Sequence, residues 1–283
     1  MVARFIPLLL LVSACAAQPR RIVSTAPSIT EMLYALGLGD RVVGVTTFCH
    51  YPPEAARKPK IGNYLNPDVE AILALRPDLV IAEKSMIRQA LSLPKLNLNL
   101  LEVDDATIPG IYASIRAIGL AAGAKAPAEA LCDRIRGSLE SIRERCVRLP
   151  RTRVMFVVGR TPGRVEDLIA TGGSTYLDEL IQIAGGENVF HDAPAAYSKV
   201  SLEEVLARDP DVIIDMGEMA QTVGITDQQR RAVVALWKRY PSLKAVRQNR
   251  VFAVASDIFV VPGPRVTEAA REIAALLHPE AAP

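Results

Sequence analysis

Two thirteen-residue stretches of this chain carry one pattern. Val69–Ile81 and Leu202–Ile214 agree at Glu70/Glu203, Leu73/Leu206, Ala74/Ala207, Pro77/Pro210, Asp78/Asp211 and Ile81/Ile214. Each reads as a short helix, a Pro-Asp stop and an apolar strand of the kind buried on both faces of a parallel sheet. A weaker match pairs Thr30–Asp40 with Leu177–Glu187. A chain of 283 residues that uses one helix–stop–strand unit in each half is long enough for two similar lobes, each with its own core.

The rest of the pattern agrees. Strands are expected at Arg21–Thr25, Arg41–Thr46, Leu79–Ala82, Leu96–Val103, Arg153–Val158, Val212–Asp215 and Val251–Val254. Helices are expected at Pro67–Leu75, Ile111–Leu120, Thr175–Ile183, Leu202–Arg208, Gln229–Tyr240 and Val266–Leu277. A further helix begins at Ser28–Glu31, whose spacing is that of a capping box, and stops at Gly37–Gly39. Alternating strands and helices predict α/β layers with mostly parallel sheets. One segment breaks the rhythm. From Ala126 to Leu149 the only proline is Pro127, and Ala130, Leu131, Ile135, Leu139, Ile142 and Val147 fall at helical spacing. This predicts one continuous helix, over 126–149, joining a lobe over 21–125 to a lobe over 150–283. A continuous helix lacks the torsions that absorb a large hinge motion, so little closure is expected.

The N-terminus is a separate feature. Arg4 precedes an apolar run, Phe5–Val12, and a small-residue exit ending at Cys15. That is the form of a secretory signal over residues 1–15. Val12-Ser13-Ala14-Cys15 also has the form of a bacterial lipobox, with Cys15 lipidated; ordinary cleavage at Ala14-Cys15-Ala16 is the alternative. The chain is therefore expected outside the cytoplasm, periplasmic or lipid-anchored at Cys15, touching the membrane only through that anchor. Of the remaining cysteines, Cys132 and Cys146 share the long helix. Fourteen helical residues separate them by about 21 Å, far beyond the ~7 Å Cα limit of a disulfide. No disulfide is expected. The formal charge of +2 with mixed signs gives no basic face for nucleic acid.

Catalytic signatures are missing. His50, His191 and His278 are far apart, and there is no Gly-x-Ser-x-Gly elbow, His-Glu-x-x-His helix, phosphate-binding glycine loop or Cys-x-x-Cys pair. Binding is expected rather than catalysis. An enzyme using a two-lobed cleft is the alternative from another class.

The segments Val43–Ala55, Asn66–Ala82, Ala184–Phe190, Val200–Ala207, Ser256-Asp257 and Pro264-Arg265 together resemble the cobalamin-binding and ferric-siderophore-binding proteins of ABC importers. Tyr51-Pro52-Pro53-Glu54-Ala55 is most similar to the cobalamin branch. The resemblance implies two α/β lobes on a long rigid helix, with the ligand cleft between the lobes and lined by loops at strand ends. It also implies a monomer that hands its ligand to a dimeric permease with ATPase subunits and needs no cofactor beyond that ligand. Matching positions put Phe48, Tyr64 and Tyr197 against a corrin, with Asp257, Ile258, Phe259, Val260 and Val261 along its edge. The cobalamin branch favours Tyr where Phe48 stands and Trp at Tyr64, Tyr197 and Ile258. A corrinoid, a ferric siderophore and haem are thus the candidate ligands. Trp237 lies on a helix among Val233, Val234 and Leu236 and reads as core. His50, beside Phe48, has the donor to meet a bound cobalt or iron, or it is an ordinary loop histidine. The resemblance further implies that Glu70 and Glu203, one per repeat, dock on basic sites of the permease.

Overall fold

The computed structural model describes residues 18–64, 66–84, 98–217 and 224–281. The N-terminal lobe contains β1 (Ile22–Ser24), α1 (Pro27–Ala35), β2 (Val42–Gly44), α2 (Pro53–Ala56), α3 (Val69–Ala74), β3 (Leu79–Glu83), β4 (Leu100–Val103) and α4 (Ile108–Ala121). Its strands form an all-parallel sheet in the order β2-β1-β3-β4. β1 is buried throughout, as is β3 from Leu79 to Ala82, which is why these strands are continuous apolar runs.

The linking helix α5 runs from Lys125 to Cys146, 22 residues, or about 33 Å at the standard rise. Ala128, Leu131, Cys132, Ile135, Leu139, Ile142 and Cys146 form its buried stripe, spaced to face one side. That stripe packs on α4 of the first lobe and on two helices of the second. Asp133–Arg136 and Glu140–Arg143, both at 2.7 Å, are exposed pairs on its outer side and add little stability. Cys132 and Cys146 are free, as is Cys49.

The second lobe contains β5 (Thr152–Gly159), β6 (Leu168–Thr171), α6 (Tyr176–Ile183), β7 (Gly186–Asn188), β8 (Tyr197–Val200), α7 (Leu202–Arg208), β9 (Val212–Asp215), α8 (Asp227–Trp237), α9 (Lys244–Arg247), β10 (Val251–Ala253) and α10 (Val266–Leu277). Its sheet runs β10-β9-β5-β6-β8, with β7 beside the start of β5. β10, β9, β5 and β7 are parallel, whereas β6 is antiparallel to both β5 and β8. The expectation of mostly parallel sheets holds, and the antiparallel β6–β8 edge is an addition to it.

The repeat extends to the backbone. Arg76 and Asp209 occupy equivalent positions after α3 and α7, and both are left-handed, with φ of 44° and 39°, the conformation that ends a helix. The following Pro-Asp then does the same work twice. The Asp78 carboxylate accepts from the backbone N–H of Arg21 at 2.9 Å, just before β1, and the Asp211 carboxylate accepts from Arg153 at 3.0 Å, at the start of β5. Each Asp therefore clasps the neighbouring strand to the start of its own.

One expectation is corrected. Ser28 and Glu31 do not form a capping box. Helix α1 begins earlier, at Pro27, and its N-cap, Ala26, makes no side-chain cap. Proline at the first helical position has no N–H to satisfy and a preset φ. This frees Glu31 for a contact with the other lobe. The capping boxes that do form are Ser201/Glu204 on α7 and Thr226/Gln229 on α8.

Candidate ligand-binding cleft

Parallel strands end on one side of a sheet, and loops from those ends line the ligand crevice of open α/β folds. In the first lobe these ends carry Thr46–Tyr51 after β2, Glu83 as the last residue of β3, and Asp104–Ala106 after β4. In the second, the loop after β10 carries Ser256–Arg265. The two sets meet. The backbone N–H of Tyr176, at the start of α6, donates to the carbonyl of Ala106 at 2.7 Å. Arg265 reaches across to Glu31 and lies over the ring of Tyr51, its guanidinium carbon 4.1 Å from the centroid.

Two carboxylates tie the lobes together. Glu31, on α1, takes two guanidinium N–H groups of Arg265, which a bidentate pair with Asp257 also holds at 2.9 Å per contact. Glu179, on α6, accepts from the backbone N–H of Ile108 at 2.6 Å, at the start of α4. Aligning the helix ends on Gly37 and Gly185, both with positive φ, shifts the match of Thr30–Asp40 with Leu177–Glu187 by one residue and makes Glu179 the counterpart of Glu31. Each lobe thus sends an acid to the start of a helix in the other: Glu179 takes a backbone N–H that the helix leaves unpaired, and Glu31 takes the guanidinium of Arg265, the residue just before α10. Burial pushes Glu31 up from 4.5 to about 7, against the lowering pull of Arg265. Glu179 is raised too, again by burial. Burial lowers the Arg265 pKa, but hydrogen bonds and charge from Glu31 and Asp257 outweigh it and hold the guanidinium charged.

The residues singled out by the sequence separate into two groups. Phe48 and Tyr197 present their rings to solvent, 55% and 46% exposed, one from each lobe, and His50 is exposed beside Phe48. Tyr64 is partly buried, its hydroxyl donating to Glu83. The hydroxyl of Tyr197 turns inward to that of Tyr176, and burial lifts its pKa to about 12. The loop after β10 is mostly core. Phe259 is fully buried, edge-on to Phe156 at 5.5 Å, and its carbonyl accepts from the Tyr176 hydroxyl at 2.7 Å. Ile258 and Val261 are also buried. Of the loop that the resemblance sets along the ligand edge, Asp257 and Val260 are thus partly open and Ile258, Phe259 and Val261 are packed inward. Trp237 is core as expected, fully buried, with its indole N–H donated to Asp215 at 2.6 Å.

Sequence reasoning missed Tyr51, Glu83, Asp105 and Tyr176. Glu83 and Asp105 stand at the ends of adjacent strands paired through Glu83 and Val103. Asp105 is 1% exposed, and burial, then the Glu83 carboxyl, push it well above the usual range. Two surface hollows lie elsewhere. One, of about 570 Å³, is lined by Val165–Leu168, Lys199–Leu202, Glu204 and Tyr240; the other, of about 540 Å³, runs along α5 past Arg136 and Arg143. Neither contains the strand-end residues Glu83 or Asp105. Among the described residues no cluster of His, Cys, Asp and Glu could hold a metal, and no helix is long and apolar enough to cross a membrane.

Two α/β lobes are thus seated on one long helix, and strand-end loops of both meet between them. The chain belongs to the periplasmic binding protein family, whose profile matches residues 22–258. It is 32% identical over 271 residues to an uncharacterised ABC transporter substrate-binding lipoprotein of Bacillus subtilis, covering 93% of this chain and 81% of that one. It is similar in structure to a periplasmic vitamin B12-binding protein of Vibrio cholerae, with TM-score 0.77 and 26% identity over 92% of this chain and 97% of the other. It is equally similar to a periplasmic haem-binding protein of Roseiflexus sp. RS-1, with TM-score 0.76 and 27% identity over 93% and 99%. The chain is a binding protein and not an enzyme.

The clasp gives a pH dependence of definite sign. A carboxyl whose folded-state pKa is raised binds its proton more tightly when folded, so its contribution is full below pH 4.5 and is lost as pH rises through about 7. Glu31→Gln, which mimics the protonated acid, should match the wild type at pH 4.5. It should exceed it at pH 8 by on the order of 2–3 kcal/mol. Thermal unfolding of both proteins at the two pH values measures this. A wild type that gains on the variant as pH rises would mean that the Arg265 ion pair outweighs burial.

Proposed function

We propose that this chain is the extracytoplasmic binding protein of an ABC importer, capturing a corrinoid and delivering it to a permease dimer driven by ATPase subunits. The observation that carries this reading is the exposed aromatic set around the cleft. Phe48 and Tyr51 from one lobe and Tyr197 from the other are among the few large apolar side chains open to solvent. Aromatic faces give a flat macrocycle a large contact area at low entropy cost. The likeness to a vitamin B12-binding protein supports the choice of corrinoid. Haem is the second reading, favoured by the exposed imidazole of His50 beside Phe48, a donor suited to iron, and by the haem-binding neighbour. A ferric siderophore is a third ligand of the same class.

Titration calorimetry with cyanocobalamin, haem and a ferric hydroxamate siderophore separates these readings. Cobalamin should bind with a dissociation constant in the micromolar range or below, and Phe48→Ala should weaken it about tenfold. No heat with cobalamin and a clear isotherm with haem or the siderophore would overturn the first reading. Iron ligation by His50 would then require a haem spectrum that changes in His50→Ala.

Delivery rests on the repeat. Glu70 and Glu203 sit in the first turns of the equivalent helices α3 and α7, both exposed and, among the described residues, without hydrogen bond or ion pair. Their acidic neighbours have other tasks. Asp68 caps α3 through Ala71, and Glu204 completes the α7 capping box. Two matched acids suit the twofold axis of a permease dimer carrying matched basic sites. Cys15, outside the described residues, is the proposed lipid attachment, which the mass of the exported chain decides. A Glu70→Arg, Glu203→Arg double variant should bind ligand as the wild type does and lose at least tenfold in stimulation of the reconstituted transporter's ATPase. Full stimulation would remove both residues from the docking surface.

A further inference from the structure

The strand ends of the first lobe carry a pair of acids that none of the aromatic contacts explains. Glu83 ends β3, and Asp105 lies two residues past the end of β4. Because Glu83 pairs in register with Val103, the two side chains leave adjacent strands at the same edge of the sheet. Asp105 is almost fully enclosed, and neither of its carboxyl oxygens has a hydrogen-bond partner of good geometry among the described residues. The Glu83 carboxyl and the Ser28 hydroxyl are its immediate neighbours. Around the pair stand phenols from both lobes: Tyr64 donates to Glu83, and the hydroxyls of Tyr197 and Tyr176 lie within electrostatic reach of both acids.

A buried carboxyl without donors is costly, and such a group in a native structure calls for a partner. Two features say what kind of partner fits. The site offers acceptors and negative charge, so it suits N–H groups. It also lies inside the proposed ligand cleft, since Ala106, the residue after Asp105, receives the interlobe hydrogen bond from Tyr176.

Resting on the cleft reading above, we propose that Glu83 and Asp105 form an acceptor subsite that receives the N–H donors of the ligand, carboxamide or ammonium, and rejects ligands presenting a carboxylate at that edge. Glu83, only partly buried, meets the donors first, and Asp105 stands behind it. Burial first, and then the neighbouring Glu83 carboxyl, push Asp105 well above the usual carboxylate range, so the enclosed acid is poorly placed to carry its charge. Carboxyl oxygens at this edge attract an N–H donor and make a ligand carboxylate, which brings only acceptors and charge, unfavourable in a poorly solvated cleft. The chemistry distinguishes the candidate macrocycles. A corrinoid carries peripheral primary amides, which are donors. Haem carries two propionates, which are not.

The test compares charge states of one macrocycle, so that it does not depend on which ligand is natural. Affinities are measured for cobalamin against its monocarboxylic acid derivatives, each with one propionamide hydrolysed, and for haem against its dimethyl ester. The proteins are the wild type, Glu83→Gln and Asp105→Asn, each checked for unchanged cooperative unfolding. In the wild type the neutral form of at least one pair should bind tenfold or more tightly than its acid. In Glu83→Gln that preference should fall at least tenfold, with haem gaining affinity. Asp105→Asn should move in the same direction, so a defect confined to one variant's folding does not decide the result. Neutral and acid forms binding the wild type equally, or a preference unaltered in both variants, would overturn the subsite while leaving the importer role intact. No binding of any of these macrocycles would overturn both.

Discussion

The geometry of the cleft depends on one constraint, the fixed seating of the two lobes on each other. A single apolar seam runs from β1 and α1, through the buried stripe of α5, to Val154 and Phe156 in the second sheet. Burial of each large side chain in it contributes about 1.5–3 kcal/mol, so the lobes do not part without exposing core. The crossing acids add direction to this adhesion. Glu31 and Glu179, counterparts in the two lobes, each reach a helix start in the other. Such seating leaves the space between the lobes nearly preformed, which would lower the ordering cost of binding a ligand there.

The internal symmetry then distributes the remaining tasks. The same helix–Pro-Asp–strand unit, used once per lobe, leaves two exposed acids on equivalent helices and aims the strand ends of both lobes into one space. Polar capping is handled by neighbours, by Asp68 in one copy and by Ser201 with Glu204 in the other. The departures from symmetry lie in the cleft itself. Glu83 and Asp105 belong to the first lobe alone. In the second, the equivalent β9 ends at Asp215, whose carboxylate is fully engaged by Arg160, Trp237 and the Gly217 N–H. One strand end is thus a closed structural network, whereas beside the other stands an enclosed acid, Asp105, without a well-placed donor.

Much of this architecture was legible in the sequence because it follows from periodicity. The linking helix, the repeat and the buried strands are long or apolar enough to show their pattern, and β9, α7 and α10 fall at the expected residues. What escaped was tertiary. β8 reads Tyr197-Ser198-Lys199-Val200, too polar and short to stand out from a loop, and its antiparallel partner β6 has four residues. Ser28 and Glu31 have capping-box spacing, but Pro27 starts the helix first. The inward packing of Ile258 and Phe259 was not legible, because an apolar loop residue gives no sign of which way it turns. An acid after an apolar strand, such as Glu83 or Asp105, normally marks the return to solvent; only the packing of the second lobe over it shows that here it does not.

The central claim, that the lobes form one body, is tested most directly by a distance across them. Spin labels at Arg57, which follows α2, and Lys238, which follows α8, are both exposed, whereas Cys49, Cys132 and Cys146 are buried and poorly reactive. Pulsed electron resonance on the free protein should give a single narrow distance distribution. Saturation with cobalamin, or with haem if that is the ligand bound, should move its maximum by no more than about 2 Å. A broad or two-peaked distribution in the free protein, or a larger contraction on binding, would contradict the account.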